Sequence, residues 1–95
     1  MNIEELNDYL LDTFNMELLD EKRQTVAEVI ESIEKGLEEI EVKEQHESMK
    51  ETLKDLKKYR DRYCYYAVDV MSCMWGQGFV ITDADNNYIG FIRTI

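Results

Sequence analysis

The run Tyr63-Cys64-Tyr65-Tyr66-Ala67-Val68-Asp69-Val70 decides how this chain folds. Its aromatic and β-branched side chains suit a strand. Its spacing also suits a helix, because Arg62, Tyr65, Asp69 and Ser72 share one helical face. An apolar seam runs through Met49, Leu53, Leu56, Tyr63, Ala67, Val70 and Met74, with Arg60 as the one polar interruption. In a strand, Asp69 and Ser72 would point to opposite faces. The seam favours helix and predicts a single element over 48–75, about 42 Å long. Read as strand, 63–73 would instead lend a third strand to the segment that follows.

That following segment reads without ambiguity. Gly76-Gln77-Gly78 breaks the helical pattern. Phe79-Val80-Ile81-Thr82 and Tyr88 to Ile95 then alternate as strands around the turn residues Asp83-Ala84-Asp85-Asn86-Asn87. A two-stranded hairpin alone is marginal in water, so it must pack on the helices, gain a strand or pair across a dimer.

Toward the N-terminus, Val26, Val29, Ile30, Ile33, Leu37 and Ile40 predict a second helix over 17–40, weakened by Gly36. Continuing its seam would need apolar residues where Glu44, Glu47, Glu51 and Lys54 stand, which places a turn near 41–48. Ser48 and Glu51 form a capping-box pattern for the next helix, and the two long helices fold back on each other. A first helix over 3–14 begins at Asn2, with Glu5 three residues on, and stops at Asn15. The expected fold is α+β in a single domain, 1–95. It has a short N-terminal helix, a long antiparallel helical hairpin and a C-terminal β-hairpin packed on the helices.

Charge narrows the function. Twenty-one acids against eleven bases leave a net charge of −10 over 95 residues, which argues against direct contact with nucleic acid or an anionic membrane. The charge is divided unevenly: 1–47 hold fifteen acids and four bases, 48–95 six acids and seven bases. No apolar run approaches the roughly 20 residues of a membrane span. The opening Met1-Asn2-Ile3-Glu4-Glu5 is acidic where a secretion signal is basic, so a cytoplasmic protein is expected.

Catalysis finds little support. His46 is the only histidine, placed in the expected turn, with no nucleophile at motif spacing. Cys64 and Cys73 read as buried free thiols, and with one His they make no zinc site. The turn 83–87 opens like a calcium loop, but Tyr88 and Thr94 stand where such a loop needs Gly and Glu. No enzyme, cofactor or metal is expected. The bases Lys50, Lys54, Lys57, Lys58, Arg60 and Arg62 read as an interhelical charge register against the acidic helix.

The acidic row is the strongest functional pattern. Glu28, Glu31, Glu34, Glu38 and Glu41 share one side of the second helix and span about 20 Å, a spacing comparable to phosphates along one strand. With Trp75 and Tyr65 as aromatic anchors, they form the expected contact surface for a protein partner with a basic, nucleic-acid-binding surface. In size and charge, though in no motif, the chain resembles the small acidic inhibitors that phages make against host defence proteins (anti-CRISPR-like nucleic-acid mimics). That resemblance implies a non-catalytic inhibitor in the host cytoplasm. The alternative is an assembly adaptor acting through a homodimer, its acids serving only solubility. A homodimer is expected on either reading, because the seams and hairpin edge exceed what one thin domain covers.

Overall fold

The computed structural model of the chain describes residues 1–38, 43–69 and 76–93. In order, the elements are α1 (Ile3–Phe14), β1 (Met16–Leu18), β2 (Gln24–Thr25), α2 (Val26–Leu37), α3 (Lys43–Lys57), β3 (Tyr63–Asp69), β4 (Gly76–Thr82) and β5 (Tyr88–Arg93). The five strands form one antiparallel sheet in which β1 and β2 both pair with β3, then β4 and β5 follow. The fold is α+β with three helices, and the long helical hairpin carrying an appended β-hairpin is overturned.

The decisive run is a strand. Seven residues of β3 pair with β4, from Tyr63 opposite Thr82 to Asp69 opposite Gly76. Helices cover both faces of this interior strand, so Cys64, Tyr65, Ala67 and Val68 are all buried whichever way they point. A strand buried on both sides loses its alternation, and its apolar run fits a helical seam by chance. The predicted helix over 48–75 is therefore two elements. Ser48 does not cap the start of a helix, because it lies inside α3, where the Thr52 hydroxyl donates to its carbonyl at 3.3 Å. His46 likewise belongs to α3 rather than to a turn.

The second predicted helix is also shorter. Thr25 caps α2, its Oγ1 accepting from the Glu28 N–H at 3.2 Å, so 17–24 lie outside it. Those residues instead form the sheet edge. β1 meets the far half of β3 (Leu18 opposite Ala67) and β2 the near end (Gln24 opposite Cys64). The Leu19 N–H donates to the Tyr66 carbonyl at 2.9 Å, so Asp20 to Arg23 bulge outward opposite Tyr65 alone. Arg23 anchors the bulge. Its Nη1 donates to the Ala84 carbonyl at 2.9 Å, and its guanidinium lies 4.3 Å from the Tyr63 ring centre.

Two thin cores sandwich the sheet. On one face α2 and α3 bury Val26, Val29, Ile30, Leu53 and Leu56 against Cys64, Phe79, Ile81 and Ile92. On the other, α1 buries Leu6 and Leu10 against Met16, Tyr65, Ala67 and Val80. α1 carries the capping box of Asn2 and Glu5 and ends at Asn15 in the left-handed region, φ 53°. Gly36 sits in α2, where an added Cβ would meet nothing within 4 Å. Gly36→Ala should therefore stabilise the protein by about 0.5–1 kcal/mol, read as a rise in thermal midpoint.

Burial also sets the alkaline limit of stability. The fully buried Cys64 thiol is pushed from 9.0 up to about 12 by loss of solvent, with the charge of Glu28 adding to the rise. Burial raises the phenols of Tyr65 and Tyr88 as well. Each group stays protonated in the folded state at pH values that ionise it in the unfolded chain. The stability they contribute is complete below pH 9.0 and is lost as pH rises toward about 12. Thermal melts across that window should show the midpoint falling, and Cys64→Ala should reduce the fall.

Candidate functional site

α1, β1 and the bulge after it enclose the candidate site. α1 lies along the sheet with Leu6 and Leu10 inward, which leaves Glu4, Glu5, Asp8 and Asp12 exposed. Asn7 joins it to the sheet edge, its Oδ1 accepting from the Leu18 N–H at 3.2 Å. The chain then turns away at Asp20, whose Oδ1 accepts from the Lys22 N–H at 2.9 Å. Between helix and bulge lies a cavity of about 270 Å³ lined by Ile3, Glu4, Asn7, Glu17, Leu18, Leu19, Asp20 and Glu21.

Its lining combines four carboxylates with three aliphatic side chains and no lysine or arginine. The electrostatics extend beyond the cavity. Residues 1–21 carry seven acids (Glu4, Glu5, Asp8, Asp12, Glu17, Asp20, Glu21) and no Lys or Arg. Leu19 is 52% exposed beside them. Among the described residues no group of three or more His, Cys, Asp or Glu side chains is arranged to hold a metal ion. The arrangement is suited to binding a cationic group over an aliphatic floor.

The row on α2 is exposed but partly compensated. Glu28, Glu31, Glu34 and Glu38 all face solvent. Lys35 lies 3.5 Å from Glu31, and Lys57 of α3 reaches Glu34 at 3.6 Å. Lys57–Glu34 is the one pair between α2 and α3 among the described residues. Lys58 pairs with Asp55 within its own segment at 3.5 Å. The negative charge is therefore not gathered on one flank: α1 and α2 lie on opposite faces of the sheet.

Of the aromatic anchors, Tyr65 is 2% exposed, and its hydroxyl donates to Asn86 Oδ1 at 2.7 Å. It holds the β4–β5 turn and offers a partner no area. Glu41, Trp75 and Cys73 lie outside the described residues. What the sequence reading missed is the acidic segment before Thr25. The pattern Thr25-Val26-Ala27-Glu28 is a helix start, and recognising it would have set 15–24 apart from the row on α2.

Comparison with protein-family models, with curated proteins and with solved structures finds no match for this chain. Among the described residues no helix is long and apolar enough to cross a membrane.

Proposed function

We propose that the chain is a non-catalytic binding module that engages a basic protein surface through the cavity between α1 and β1. A lysine or arginine side chain of the partner lays its aliphatic stem against Ile3, Leu18 and Leu19, with its charged head among Glu4, Glu17, Asp20 and Glu21. The observation that carries this reading is one cavity lined by four carboxylates and lacking any cation of its own. Surfaces that hold nucleic acid present lysines and arginines in rows, so occupying one blocks it. Glu28 and Glu38, on the opposite layer, add long-range attraction but touch a different side.

Charge reversal tests the assignment, with a fluorescent oligoarginine peptide as probe and anisotropy as readout. Glu4→Lys with Glu17→Lys and Glu21→Lys should weaken binding by about 10- to 100-fold, as expected for a few exposed charge contacts. Glu28→Lys with Glu31→Lys and Glu38→Lys should cost only about threefold. Raising salt should weaken the wild-type complex. The reverse ranking of the two triple variants would remove the cavity from the account.

A further inference from the structure

α1 separates two different surfaces. One flank, with Ile3, Glu4 and Asn7, walls the acidic cavity. Leu6 and Leu10 point down onto the sheet. Tyr9 stands on the other flank, where its ring meets Tyr88 of β5 at 5.9 Å between centroids. Phe14, at the end of the helix, completes the group. Its ring lies 6.0 Å from Tyr9, nearly perpendicular at 81°, and 4.9 Å from Tyr88. Tyr9 is 37% exposed and Phe14 40%, so two of the three rings present area to solvent. The crest of α1, between these rings and the cavity, carries the exposed Glu5, Asp8 and Asp12. Glu5 lies four residues before Tyr9 and Asp12 three after it, spacings that set both carboxylates next to Tyr9 on the helix surface.

We infer that the cluster of Tyr9, Phe14 and Tyr88 is a second subsite for the same basic partner, and that it takes arginine in preference to lysine. The subsite builds on the cavity reading, because the partner must already present cations to α1. Charge complementarity selects the occupant. Residues 1–21 hold no Lys or Arg, so the acids of the crest meet no cation from their own segment. A second copy of the chain would set the same acids face to face, and an aliphatic segment would leave them unpaired. A guanidinium suits both halves of the surface. Its plane stacks on a ring while its N–H groups reach a carboxylate, whereas an ammonium is a compact, strongly hydrated charge that gains less from the ring. The chain makes this contact within itself, with the Arg23 guanidinium 4.3 Å from the centre of the Tyr63 ring. The cavity, built of carboxylates and aliphatic walls, accepts either base. The aromatic cluster is what tells them apart.

Anisotropy with fluorescent hexaarginine and hexalysine peptides tests the subsite. The wild-type chain should bind hexaarginine about two- to fivefold more tightly, the gain expected of one exposed cation–π contact. Tyr9→Leu with Phe14→Leu keeps apolar bulk at two exposed positions and should retain the far-UV spectrum. It should bring the two affinities together by weakening hexaarginine alone. Glu4→Lys with Glu17→Lys and Glu21→Lys should weaken both peptides and leave their ratio unchanged, so loss of the cavity and loss of the cluster are read separately. An isotopically labelled hexaarginine gives a readout on the unsubstituted chain. Its δ-methylene protons should move upfield on binding, as the ring current requires of a group stacked over an aromatic face. Equal affinities in the wild type, or a preference that survives Tyr9→Leu with Phe14→Leu, overturns the subsite and leaves the cavity reading intact. Self-association of the wild type that this double variant abolishes, with the peptide ratio unmoved, gives the cluster to a second copy and overturns the subsite likewise. Failure of both peptides to bind overturns the cavity reading and the subsite with it.

Discussion

Gly78→Ala should be the most damaging single substitution in the sheet. Gly78 lies in β4 opposite Arg93, where a Cβ would collide with the Ile92 carbonyl oxygen and come within 2.7 Å of Phe91 Cζ. The first obstacle is backbone of the paired strand, so no rotamer change relieves it. The second is the Phe91 ring, which packs over the glycine and closes the gap it leaves. Separating β4 from β5 would open both cores at once, because Phe91 serves the α1 side and Ile92 the α2–α3 side. The expected loss is at least about 3 kcal/mol, a large part of the 5–15 kcal/mol typical of a domain. Chemical denaturation should show the midpoint falling with the slope unchanged, or no folded baseline at all.

Leu10→Ala should come next. Leu10 is fully buried, and with Leu6 it forms the contact that holds α1 to the sheet. Truncation removes the transfer energy of the lost methyl groups and leaves a hole in a core only six buried residues strong, an expected cost of about 2–5 kcal/mol. Among the described residues the polar ties of α1 to the sheet are one bond from Leu18 to Asn7 and, just before the helix, the α-ammonium of Met1 donating to the Asp85 carbonyl at 2.6 Å. The variant should therefore lose protection from hydrogen exchange in α1 and β1 before the sheet opens. Oligoarginine binding should fall with it, since the cavity has α1 as one wall. Phe14→Ala makes a useful contrast. That ring is 40% exposed and touches Tyr9 and Tyr88 only at the rim of the core, so its removal should cost about 0.5–1.5 kcal/mol.

The parts of the fold that could be read in the sequence are those governed by local chemistry. Asn2 with Glu5, and Asn15 at the other end, mark a helix whose limits depend on its own backbone groups. The turn 83–87 is equally local. Asp83 accepts from the Asp85 and Asn87 N–H groups at 2.9 Å each and from the Asn87 side chain at 3.1 Å, and these bonds hold its carboxyl below the usual range. Asn86 takes the left-handed conformation, φ 62°, that such a turn requires. What escaped the reading depends on partners distant in sequence. β3 is a strand because β4 and the β1–β2 edge meet it on either side, and helices from earlier in the chain pack on both faces of the sheet. Nothing inside 63–70 carries that information. β1 and β2 are three and two residues long, too short for a pattern of their own.

The same mistake governed the site. A single helix over 17–40 would put Glu17, Asp20 and Glu21 on the same element as the row on α2. In the folded chain they line a cavity with Glu4 of α1, on a different layer from Glu28 and Glu38. The net charge was legible from composition, but its division into two faces depends on where the sheet passes between the helices. Conversion of 63–69 from helix to interior strand is what separates them.

Backbone chemical shifts and cross-strand proton contacts over 63–69 test that separation most directly. The account predicts extended-chain shifts throughout, with contacts from Tyr65 to Val80 and from Ala67 to both Leu18 and Gly78, matching the strand register. Helical shifts with contacts three residues apart along 63–69 would contradict it, and would remove the strand that separates the acids of α1 from those of α2.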